Sequence, residues 1–176
     1  MTVVHRSIAT VACALGAALT GCASAPVAPA PVAVAPSHST ARAAVAHVTA
    51  ASGSLVSGSL RLVPVGDGVR VSGAIGGLTP GSRHGLHVHA TGDCSAADGS
   101  AAGAVFNTSP GANTTIIAGG DGLARVDLRL AHAWLGGGAA DDIAGRALVV
   151  HALPDEALTA PQADLRLGCG VITVTP

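Results

Sequence analysis

From residue 43 onward, short runs of Val, Leu, Ile and Thr alternate with Gly, Pro, Asp and Asn clusters, and this punctuation constrains the fold more than any other feature. Runs this short and this often interrupted fit strands joined by tight turns, not helices. Strands are expected over 43–50, 55–65, 69–75, 84–90, 114–118, 123–130, 146–152 and 170–175. Gly66-Asp67-Gly68 and Gly119-Gly120-Asp121-Gly122 read as hairpin turns in which Gly supplies the positive φ. The fold class that follows is all-β, an eight-stranded Greek-key sandwich or barrel. With one Trp, one Phe and no Tyr, its core has to be aliphatic. The long loops at 91–113 and 153–168 are where function is expected to sit.

The start of the chain reads differently. Arg6 gives a minimal positive region, and 7–20 is an apolar stretch too short to span a bilayer comfortably. It runs into Leu19-Thr20-Gly21-Cys22, which resembles a bacterial lipobox. Residues 1–22 are therefore expected to be a lipoprotein signal peptide, with Cys22 lipidated. Residues 23–42, rich in Pro and Ala, form an extended tether, because such a segment can neither build a helix nor pair in a sheet centre. The β domain occupies 43–176. The expectation is an exported protein held to a membrane by an N-terminal lipid anchor, facing the periplasm or the cell exterior. Cys13 leaves with the signal peptide and Cys22 carries lipid, so Cys94 and Cys169 remain, and two cysteines in an exported domain read as one disulfide. A formal net charge of -1 without clustered Lys or Arg excludes nucleic acid as a partner.

His87 and His89 stand two apart in the fourth strand, so alternation places both rings on one face, where they can share an ion. His151, on another strand, can supply a third nitrogen. Imidazoles suit copper and zinc, but His-x-His alone is weak evidence, and ordinary exposed or core histidines account for it more often.

The surroundings add weight. Gly77-Leu78-Thr79-Pro80-Gly81, His84-Gly85-Leu86-His87-Val88-His89 with Gly92-Asp93-Cys94-Ser95, the 145–151 stretch ending in His151, and Leu165-Arg166-Leu167-Gly168-Cys169-Gly170-Val171-Ile172 all resemble the copper,zinc superoxide dismutase family, in the family's order. The resemblance spans about 43–175. It implies that His87, His89 and His151 are copper ligands and that Cys94 pairs with Cys169. It also implies that Arg166 overhangs the copper channel and attracts superoxide, and that His84 is a structural tie. Asp155 would match the aspartate linking the two metal sites.

The departures bear on the cofactor. Where the family has Gly-Gly-His-Phe-Asn-Pro, the chain reads Gly103-Ala104-Val105-Phe106-Asn107-Thr108, so Val105 replaces the histidine that bridges copper and zinc. Ala112 stands where the zinc aspartate would be, and the tetrahedral ligand set zinc needs cannot be assembled. The cofactor expected is copper, with zinc unlikely. The leading expectation is a copper-only superoxide dismutase. A non-enzymatic copper-binding or buffering lipoprotein and a metal-free relic of the same fold are the alternatives, and a homodimer is left open.

Overall fold

Burial alternates along the first strand, β1 (Ala44–Ala50): Ala44, Ala46 and Val48 point inward, while His47 and Thr49 are exposed. The same period places Leu60 and Leu62 of β2 (Ser57–Val65) and Val69, Val71 and Ile75 of β3 (Gly68–Gly76) in the interior. The structure is a computed structural model that describes residues 38–106, 114–154 and 165–176. Cys22, most of the tether, Ala112 and Asp155 lie outside the described residues. The remaining strands are β4 (Arg83–His89), β5 (Thr115–Ile117), β6 (Ala124–Ala131), β7 (Ala147–His151) and β8 (Arg166–Val174).

All pairings between strands are antiparallel, in the order β5-β4-β7-β8-β1-β2-β3-β6. A bridge between Ala118 and Ala124 joins the end of β5 to the start of β6, so the sheet curls into a nearly closed barrel. Strands β3 and β4, successive in the chain, are not neighbours, and neither are β6 and β7; these crossings make the Greek key. The aliphatic interior centres on Leu60, Leu62, Ile75, Leu86, Leu148 and Ile172.

A second, smaller cluster of Ala102, Ala147, Val149 and Cys169, with Cys94 against it, lies apart from that core. Ala147 and Val149 point to the same side of β7 as His151, and they sit opposite His89 and His87 of β4. This side of β4, β7 and β8 is covered by the segment 90–106, and the disulfide Cys94–Cys169 fastens that segment to β8.

The structure departs from the sequence pattern in two places. Strand β8 begins at Arg166, not Gly170. The sequence pattern predicts a loop over 153–168, but a Cβ at Gly168 would meet Val48 and Val56 side chains at 2.7 and 2.9 Å, so this glycine permits close packing inside a strand. The Gly/Ala-rich connection 132–145 is also firmly organised. The Asp142 carboxylate accepts hydrogen bonds from the N–H groups of Gly136, Gly138 and Ala144, and Leu135 and Ile143 are fully buried. This connection holds the end of the tether region: the Leu135 carbonyl accepts from Thr40 and Ala41 N–H, and Leu135 N–H donates to Ser39 Oγ.

Candidate metal centre

His87 and His89 leave β4 on one face, and His151 ends β7 on the same face. The register shifts between Val150 and His151, where β7 meets Arg166 of β8. One ligand nitrogen from each ring lies within 4.8 Å of the others, and among the described residues this is the group of three or more His, Cys, Asp or Glu that could hold a metal ion. His89 Nε2 and His151 Nε2 are 2.9 Å apart, and the His87 and His151 ring centres are separated by 4.9 Å. His89 and His151 are fully buried; His87 is half-buried and opens the site to solvent.

The donor chemistry fits a metal. His89 Nδ1 lies 2.8 Å from the Gly103 carbonyl, which can only accept, so Nδ1 carries the proton and Nε2 presents its lone pair to the centre. On the other face of β4, His84 Nδ1 donates to the His151 carbonyl at 2.9 Å, and His84 Nε2 lies 2.6 Å from Ser82 Oγ. His84 thus braces the end of β7 from outside the three-ring group.

Arg166 is 7% exposed at the start of β8. Its Nη1 donates to Gly99 O at 2.8 Å and its Nη2 to Gly103 O at 2.9 Å. The Gly103 carbonyl therefore receives both His89 and Arg166, tying the guanidinium to a ring of the centre through one oxygen. Gly99 and Gly103 have positive φ of 72° and 75°, backbone that glycine adopts without strain, and both carbonyls accept from Arg166.

The segment 93–100 carries two carboxylates below their ordinary range. Asp93 is lowered by hydrogen bonds from Ser95, and Asp98 by hydrogen bonds from Ser100, with a smaller contribution from the Arg166 charge.

Val105 forms an isolated bridge with His89 and is 49% exposed. Residues directly opposite in such a bridge project to one side. Val105 therefore stands beside the three rings, offering an isopropyl group where a nitrogen would have to come from. The sequence pattern and the resemblance singled out His87, His89, His151 and Arg166, which the structure brings close together, but gave no sign of the shared Gly103 carbonyl, because a backbone oxygen has no letter.

A profile of the copper/zinc superoxide dismutase family matches residues 56–172. The chain belongs to the copper/zinc superoxide dismutase family. It is 37% identical over 135 residues to "Superoxide dismutase [Cu-Zn] 2" of Mesembryanthemum crystallinum, covering 65% of this chain and 85% of that one. To "Extracellular superoxide dismutase [Cu-Zn]" of Brugia pahangi it is 35% identical over 128 residues, 60% of this chain and 63% of the relative. A second "Superoxide dismutase [Cu-Zn] 2", from Brassica juncea, is 37% identical over 122 residues, 58% and 78% of the two chains.

Proposed function

We propose that this member of the family is a copper-only superoxide dismutase working outside the cytoplasm, with Cys22 lipidated and anchoring it to a membrane. The observation that carries the reading is Arg166, held by two carbonyls and sharing Gly103 with His89. Copper storage needs no such guanidinium, whereas a small anionic substrate does.

His87, His89 and His151 would hold copper by ring nitrogens. Copper bound there supplies one-electron chemistry, so that two superoxide ions and two protons give oxygen and hydrogen peroxide. The chain's own residues do the rest. Arg166 draws the anion toward the half-open side at His87, and the Gly103 carbonyl keeps the His89 tautomer fixed. The Val105 side chain can neither ligate nor carry a proton, so protons for peroxide have to come from water at the exposed mouth.

Three imidazoles suit cuprous copper, while cupric copper favours a fourth, tetragonal donor. The reduced state is therefore expected to be favoured and turnover slower than in relatives with a bridging histidine. Val105→His should speed reoxidation of the copper-loaded protein; equal rates would dispose of this account. Direct superoxide decay on copper-loaded protein, with His87→Ala as control, tests the activity itself. Copper binding without decay would favour the second reading, a copper-buffering lipoprotein, which the absent donor at 105 supports. Zinc is not part of the proposal, for want of a nitrogen at 105. Export is supported by the lipobox-like Leu19-Thr20-Gly21-Cys22 and by the extracellular relative from Brugia pahangi.

A further inference from the structure

With Val105 contributing nothing to a metal, the 102–106 stretch depends on the protein alone to keep its place beside the rings. Backbone hydrogen bonds supply part of this: Phe106 N–H to Val88 O at 2.8 Å, Ala90 N–H to Ala104 O at 2.9 Å and Thr91 N–H to Ala102 O at 3.0 Å. Thr91 Oγ1 donates to Ala101 O at 2.7 Å, and a further set of contacts converges on one side chain outside the metal centre. Arg146, just before β7, donates from Nη1 to Ala90 O and from Nε to Asp142 O, both at 2.7 Å. Its guanidinium carbon lies 3.5 Å above the centre of the Phe106 ring. Ala90 follows the ligand His89, Phe106 follows Val105, and Asp142 is the residue whose carboxylate gathers three N–H groups of the 136–144 loop.

We infer that Arg146 is a positioning residue for the metal centre: it clamps both ends of the 90–106 segment and so holds the Gly103 carbonyl against His89 and Arg166. The planar fork matters. One face stacks on the aromatic ring while two edges bond carbonyls of different elements, and an ammonium cannot do both. The chain has a single Phe, and it lies under this guanidinium, whose contact keeps the segment from sliding along β4.

The inference rests on the copper reading for its meaning, and the test is built to separate the two. In the metal-free protein, amide hydrogen exchange over 101–106 is compared among wild type, Arg146→Lys, Phe106→Leu and the double variant. Phe106→Leu keeps an apolar side chain and so remains informative if an Arg146 variant folds poorly. Each single variant should exchange about tenfold faster in this segment, with β2 and β3 unchanged, and the double variant should be no faster than the worse single one. In parallel, the electron paramagnetic resonance spectrum of cupric-loaded protein should go from one species in wild type to a mixture in both single variants. Azide affinity, which reads Arg166, should fall several-fold. A merely structural Arg146 would lower the melting temperature and leave a single cupric spectrum, unchanged azide affinity and unaltered 101–106 exchange; that result would overturn the inference. If wild type takes up no copper, the copper reading fails, while the metal-free exchange still decides whether the clamp exists.

Discussion

Gly168 and Gly170 sit in the middle of β8, where glycine usually weakens a strand by removing side-chain contacts. Each leaves room for a neighbour of a different kind. A Cβ at Gly168 would press on the Val48 and Val56 methyls, whereas one at Gly170 would press on the backbone of His47, with O at 2.6 Å and C at 2.8 Å. Methyl groups can turn aside and a paired strand cannot. Gly168→Ala should therefore cost about 1–2 kcal/mol and Gly170→Ala about 3 kcal/mol, the range of an overpacked interior. Urea denaturation of the two variants checks the order, and a reversal would mean that β1 yields more easily than its pairing with β8 suggests. The same residues show why the β8 boundary was hidden in the sequence. Glycine is written identically whether it breaks a strand or admits a close neighbour, and only the partner across the sheet distinguishes the two. His87 and His89 were legible as a same-face pair for the opposite reason, since the two-residue period fixes the side each ring takes, while His151, on another strand, was tied to them by the resemblance.

Among the elements, the 90–106 segment joins chemistry to architecture. Its far end pairs with β4 through Phe106, its two ends bond each other through Ala90–Ala104 and Thr91–Ala102, it supplies the Gly99 and Gly103 carbonyls, and Cys94 fastens it to β8. Within it, Asp93 Oδ1 accepts from Ser95 N–H at 2.8 Å and Asp98 Oδ1 from Ser100 N–H at 2.9 Å. Both carboxyls lie below the ordinary aspartate value of 3.8, so their charged, hydrogen-bonded form is favoured in the folded state. For a group depressed on folding, the contribution is fully present above the unfolded value and fades as pH falls through the lower folded value. The turns should thus be intact at pH 5 and loosen below about pH 3.8, the unfolded reference. Exchange of the Ser95 and Ser100 amides against pH, corrected for intrinsic rates, reads this directly; equal protection at pH 5 and pH 2.5 would remove the two aspartates from the account. Most strands were legible from alternation between turn residues. The order within the 132–145 connection was not, because a run of Gly and Ala carries no period, and the role of Asp142 appears only once the chain folds back on it.

At the scale of the molecule, the barrel has to close around aliphatic side chains alone, and the buried set contains much Ala and Val. Small side chains remove little apolar surface each, so a covalent link has unusual weight here. Cys94 and Cys169 are separated by 75 residues, and the bond joins the segment covering the three histidines to β8, which lies between β7 and β1. Closing a loop of that length lowers the entropy of the unfolded chain by an amount worth about 4.5 kcal/mol at 25 °C in the chain-entropy account. For a domain of this size each kcal/mol moves the melting point by about 3–5 °C, so the loss should be about 15–20 °C. The Cys94→Ala/Cys169→Ala variant, purified without metal and compared with wild type by calorimetry, should show that drop. It should also expose Ala102, Ala147 and Val149, which pack against the bond on the outer side of the sheet. A shift below about 5 °C would show that the unfolded chain is already restrained, or that burial of the two cysteines, not the bond, supplies the stability. Adding reductant to wild type separates these cases, since it breaks the bond and leaves both sulfurs in place.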